Sequence, residues 1–169
     1  MDIKKIFALT VVLLALFCCI GAASAGLFDF FGGNTQAYTF DGFTLDIPKS
    51  ASVTCDNVSR NDSYGYAEIY LYTIKMEDGK TVNVSSAKGE AVVSSIDQYI
   101  INMENSGAVK EETYEDWTIF DITDARVKMG NSSVHCKYLV AKMTNGQLIT
   151  VYGDDLNQLK DIVKTYKDT

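Results

Sequence analysis

Asn145-Gly146 divides two runs rich in apolar and β-branched residues, Val134–Thr144 and Gln147–Tyr152. An Asn-Gly pair accepts the two positive-φ positions of a type I′ turn, and that turn carries the twist its flanking strands need. The sequence therefore predicts a tight hairpin. Val134, Cys136, Tyr138 and Val140 share one face of its first strand, while Leu139, Ala141 and Met143 share the other. Apolar residues on both faces call for a sheet covered on both sides, by two helices or by a helix and a long loop.

Other turn signals repeat the pattern. Asp41-Gly42 lies between Tyr38–Phe40 and Phe43–Ile47, and Pro48 ends the second of these strands. Glu77-Asp78-Gly79-Lys80 separates the strong strand Tyr64–Met76 from Thr81–Ser86. Val109–Thr113 and Trp117–Thr123 flank the polar turn 114–116, and the polar stretch Ser50–Ser63 reads as loop. Two segments have helical spacing instead. Val92, Val93, Ile96, Tyr99, Ile100 and Met103 recur on one face, with Gly107 placed to cap the end. Leu156, Leu159, Ile162, Val163 and Tyr166 form a second stripe after a capping Asp154 or Asp155. The expected fold class is α+β: a mostly antiparallel sheet with a mid-chain helix and a C-terminal helix packed on it.

The first 25 residues are expected to lie outside that domain. Lys4 and Lys5 precede an apolar run from Ile6 to Ile20, and Ala23-Ser24-Ala25 fits the small-residue pattern of a signal peptidase site. Cleavage between Ala25 and Gly26 would give a secreted or cell-surface protein. An uncleaved segment of this length could instead anchor the chain in a membrane. Cys18 and Cys19 follow Leu16 and Phe17, unlike a lipid-modified cysteine, which follows small residues. Residues 26–36 read as a flexible linker and 37–169 as a single globular domain. Removing the leader makes the net charge of −7 one unit more negative. That balance excludes nucleic acid, which needs clustered Lys and Arg to displace counterions, and speaks against anionic lipid headgroups.

Phe43-Thr44-Leu45-Asp46-Ile47-Pro48, then a hairpin, a mid-chain helix, further antiparallel strands and a terminal helix resembles the PsbP-like family. These are small extrinsic proteins with an antiparallel sheet between helices, and their best-known members assist photosystem II. The resemblance implies an accessory or structural subunit of an envelope or membrane complex, and it carries over no functional residue. The leader and its flank, from Lys4-Lys5-Ile6-Phe7 to Gly26-Leu27-Phe28-Asp29-Phe30-Phe31-Gly32, together with the preference for Lys over Arg, also resemble small secreted proteins of methanogenic archaea.

Chemistry-bearing constellations are sparse. His135 is the only histidine, and on a strand it points away from its neighbour Cys136, so the two make no dyad. There is no G-x-S-x-G elbow and no phosphate-cradling glycine loop. One His and two distant Cys build no zinc site, and Arg60 interrupts the oxygen-rich stretch Asp56–Ser63. No enzyme, metal or cofactor is expected. In an exported chain Cys55 and Cys136 form an even pair suited to a disulfide. Four N-x-[ST] sequons, at Asn57, Asn61, Asn83 and Asn131, exceed the roughly 1.4 that composition gives by chance. All but Asn83 fall in predicted loops or turns.

Tyr64, Tyr66, Tyr70 and Tyr72 have one parity on their strand, with Glu68 among them, and Gly65, Ala67, Ile69 and Leu71 line the expected core side. A row of tyrosines suits stacking on a sugar or a partner protein, and it suits plain sheet packing equally. The function expected is an exported, non-catalytic surface module that binds an extracellular glycan or protein. The accessory-subunit role implied by the PsbP-like resemblance is the alternative.

Overall fold

A computed structural model of the protein describes residues 34–63, 65–129 and 132–169. Signal peptide, cleavage site and most of the linker lie outside the described residues, as do Tyr64 and Asn131. Among the described residues no helix is long and apolar enough to cross a membrane. From Gln36 to Thr169 the chain forms one compact unit.

The strands are β1 (Thr35–Thr39), β2 (Phe43–Pro48), β3 (Ser52–Asn57), β4 (Arg60–Asp62), β5 (Gly65–Lys75) and β6 (Thr81–Lys88). Helix α1 (Ile96–Asn105) follows, then β7 (Val109–Tyr114), β8 (Trp117–Asp121), β9 (Lys128–Met129), β10 (Ser132–Ser133), β11 (Tyr138–Thr144) and β12 (Gln147–Gly153). Helix α2 (Leu156–Val163) and β13 (Lys167–Asp168) complete the chain. The main sheet runs β3-β5-β6-β12-β11-β8-β7, with β4 beside β5. A second sheet has the order β1-β2-β13. All pairings are antiparallel.

This is a β-rich sandwich, which corrects the α+β expectation. The helices hold only 10 and 8 residues. The first starts at Ile96 because the Ser95 side chain caps it, accepting from the Gln98 N–H at 3.2 Å, so Val92 and Val93 stay outside. β1 begins at Thr35, so it takes in the last two residues of the expected linker ahead of the strand expected at Tyr38–Phe40, and Ser50–Ser63, expected mainly as loop, supplies β3 and β4, an exposed edge without apolar alternation. Val134–Lys137, expected in a strand, is irregular.

The turn chemistry is as local as its residues. Asn145 and Gly146 have φ of 48° and 72°, and β11 and β12 pair in full register from Thr144↔Gln147 to Tyr138↔Gly153. β2 alternates buried Phe43, Leu45 and Ile47 with half-buried neighbours, so its apolar side turns inward. That side meets Leu159, Ile162 and Val163 of α2, itself capped by Asp155. The β1–β2 turn is tied to the main sheet by Asp41. Its carboxylate accepts from Ser86 Oγ at 2.7 Å and pairs with Lys88 Nζ at 3.0 Å, and its carbonyl accepts from Gln147 Nε2 at 2.7 Å.

Candidate functional site

The register sorts the main sheet into two faces. Tyr72, Ile74, Val82, Val84, Val151 and Ile149 look toward β2 and α2. Ile69, Leu71, Ser85, Ala87, Leu148 and Tyr152 look the other way, toward α1.

The tyrosine row sits on the first face and is not a continuous platform. Tyr72 is buried, edge-on against Phe40 with ring centroids 4.9 Å apart. Tyr70 is half-buried and donates its hydroxyl to Glu68 at 2.9 Å, a bond that raises its phenol above the ordinary range. Among the described tyrosines of the row only Tyr66 stands open, at 47 % exposure. The expected core side is correspondingly looser: Ala67 is buried, while Ile69 and Leu71 are half-buried.

Ile69 lies on the floor of a groove of about 500 Å³ under α1, and Leu71 borders a second cavity. Ile69, Ser85, Ala87 and Leu148 come from β5, β6 and β12. Tyr99, Asn102, Met103 and Ser106 come from α1 and its C-cap. Ala91–Val93 and Val127–Met129 close the sides, with Arg60, Arg126 and Lys128 in the lining. The walls combine apolar side chains with a few hydroxyls, one amide and three cations, so the groove offers both burial and polar contacts.

Three local devices build it. Gly89 has a φ of +117°, and a Cβ there would lie 2.4 Å from the Tyr66 carbonyl oxygen, so only glycine lets the chain leave β6 so close to β5. The Ala91 N–H then donates to that same carbonyl at 3.1 Å. Helix α1 ends in a Schellman motif: Gly107 (φ +95°) and Ala108 donate to the carbonyls of Glu104 and Met103. Finally the Arg126 N–H donates to the Ser106 carbonyl at 2.9 Å, which fastens segment 125–129 to the helix end and puts Arg126 at the groove.

Inside the groove Ser85 Oγ and Thr150 Oγ1 satisfy each other at 2.7 Å. Tyr99 does not share this balance. Its ring packs edge-on against Phe120, and its hydroxyl is buried with no hydrogen-bond partner. Burial pushes that phenol far above its ordinary pKa, with nearby Tyr152 adding to the shift.

A smaller cavity of about 260 Å³ lies on the same face, and Met129 borders both. It holds His135 and Cys136 together, which strand parity excluded; the parity rule fails there because 134–137 is irregular. No nucleophile results. Burial, with Asp154 nearby, pushes the Cys136 thiol up to about 11, so it stays protonated near neutrality, donating toward the Tyr138 carbonyl at 3.6 Å. Among the described residues no three His, Cys, Asp or Glu side chains gather to hold a metal ion.

The expected Cys55–Cys136 bridge is not formed: both thiols are free. Cys55 is exposed on β3 opposite Tyr72, whereas Cys136 lines the cavity on the other side of the sheet. Of the sequons, Asn57 and Asn61 are exposed but lie in β3 and β4 instead of a loop. Asn57 Oδ1 accepts from the Ser59 N–H at 2.9 Å. Asn83 is half-buried in central β6, its Oδ1 accepting from Thr73 Oγ1 at 3.1 Å.

Sequence reading did not find the groove, because it joins five stretches far apart in the chain. One signal was available. Arg60 and Arg126 are the only arginines among 15 basic residues, and both line it. Compared with known proteins, the chain matches no protein-family model, no curated protein and no solved structure.

Proposed function

We propose that the chain is an exported, non-catalytic binding module whose ligand site is the groove between α1 and the sheet. One observation carries this reading: a groove of about 500 Å³ between α1 and the sheet, with Tyr99, whose buried hydroxyl has no partner of its own, in its wall. A buried polar group left unpaired costs about 1–3 kcal/mol, so its retention favours a site where a ligand supplies the missing partner. The tyrosine row supports a glycan surface less well, since Tyr72 is covered and Tyr70 is engaged by Glu68. The accessory-subunit reading draws only on Ile101 and Val109, exposed at 51 % and 60 %.

N-phenyl-1-naphthylamine, a neutral apolar fluorophore, tests the reading. The wild-type chain should bind one equivalent with enhanced emission, and Ala91→Trp, which fills the groove from its side, should lose it. Unchanged binding by Ala91→Trp would move the ligand elsewhere. Export itself is checked by the mass of the mature protein from its host, expected to begin at Gly26; an intact Met1 in the membrane fraction would replace secretion with an anchor.

A further inference from the structure

The charge at the groove is opposite to that of the molecule. The chain is acidic, with a net charge of −7, and uses Lys almost throughout, yet both of its arginines and Lys128 line this one apolar groove. Arginine presents a planar fork of donors that matches a carboxylate with two parallel bonds, which a lysine point charge does not. The groove's volume of about 500 Å³ and its apolar wall residues suit a hydrocarbon body, and its cations suit one terminal negative group. Lys128 and Arg126 are exposed, so a carboxylate can meet them while its tail is buried.

We propose that the ligand is an amphiphilic carboxylate, an apolar body with one carboxyl group held by Arg126 and Lys128. This rests on the groove being the ligand site. The carboxylate stays partly in water at the groove mouth, so the cations select for charge without its full desolvation.

Titration calorimetry of the full chain at low ionic strength, with decanoate, 1-decanol and decylamine as probes, separates the two levels. Decanoate should bind about tenfold more tightly than decanol, and decylamine more weakly than both. Arg126→Gln/Lys128→Gln should bring decanoate down to the affinity of decanol and leave decanol unchanged, because both side chains are exposed and the fold does not depend on them. Added salt should shrink the preference in the wild type and do nothing in the double variant. Decanol binding as tightly as decanoate, or a preference that survives the double substitution, would overturn the carboxylate assignment and leave the groove as an apolar site. Binding of none of the three would remove the groove as ligand site, and the assignment with it.

Discussion

Under α2 and the β1-β2-β13 sheet, Phe43, Leu45, Ile47, Ile74, Leu159 and Ile162 have no exposed surface. Under α1, across the same strands, Ile69, Leu71 and Thr73 are only half-buried and two cavities open. One strand thus serves two purposes. β6 sends Val82 and Val84 into a closed core and Ser85 and Ala87 into a groove. The difference has a cause in the covering elements. The first face is closed by the β1-β2-β13 sheet and a helix that buries Leu159, Ile162 and Val163, with Gln158 donating to Met76 Sδ beside them. The second is closed by α1, of which only Met103 is fully buried, and by irregular segments held by single backbone bonds. A closed face supplies stability, and a face with a slot in it supplies a site.

The largest expected effect is on the closed face. Leu159→Ala should lower unfolding free energy by about 2–5 kcal/mol, the range for deleting a large aliphatic from a packed core. Met103→Ala, on the groove face, should fall at the low end of that range, about 2 kcal/mol, because Met103 packs with Phe120 and Leu139 on one side and borders the groove on the other. Denaturant melts of the two variants make the test, and equal losses would end the distinction between a packed and a slotted face.

The cysteines report the same contrast by rate. Burial and Asp154 push the Cys136 thiol up to about 11, against an ordinary value near 9.0, while Cys55 is exposed. A thiol raised to about 11 is almost wholly protonated at pH 8, so in the native domain freed of residues 1–25 Cys55 should react with Ellman's reagent first and Cys136 far more slowly. Unfolding should make both fast. Two unreactive cysteines in native secreted protein would instead establish the Cys55–Cys136 bridge.

Helix caps should give a smaller separation. Asp155 accepts from the N–H groups of Asn157 and Gln158 and places its charge at the start of α2, whereas Ser95 accepts one bond at α1. Asp155→Ala should cost about 1–2 kcal/mol and Ser95→Ala about 0.5–1 kcal/mol. A larger loss at Ser95 would make α1 the better-anchored helix.

Legibility in the sequence followed the range of the interactions. Asn145-Gly146, Asp41-Gly42 and Gly107 announced their turns because positive φ is a property of one residue. The β2 alternation was legible for the same reason. Ser52–Asn57 was not, since an exposed edge strand takes its structure from its pairing with β5 and carries no apolar pattern of its own. Val134–Lys137 misled in the opposite sense: it alternates like a strand, but the Val134 N–H donates to the Val127 carbonyl and the Lys137 N–H to Asp154 Oδ1, so the stretch joins no ladder. Parity puts Tyr66, Tyr70 and Tyr72 on one face, but which face is the better covered depends on Phe40 and β2, far from them in sequence. The groove lies entirely at this longer range.

The smallest effect on stability is also the one that separates fold from function. Tyr99→Phe removes a hydroxyl that has no partner and keeps the ring against Phe120. Nothing in the folded chain is lost with that oxygen, and the cost of burying it unpaired disappears. The variant should therefore be as stable as the wild type or more stable, by up to about 1 kcal/mol. A structural hydroxyl behaves otherwise: Thr150→Val leaves Ser85 Oγ without its 2.7 Å partner and should destabilise by about 1–3 kcal/mol. If the Tyr99 hydroxyl is kept for a ligand, Tyr99→Phe should weaken decanoate binding several-fold while the melting temperature holds or rises. Loss of stability in Tyr99→Phe would mean that the hydroxyl is satisfied within the fold, and the strongest reason for placing the ligand under α1 would be gone.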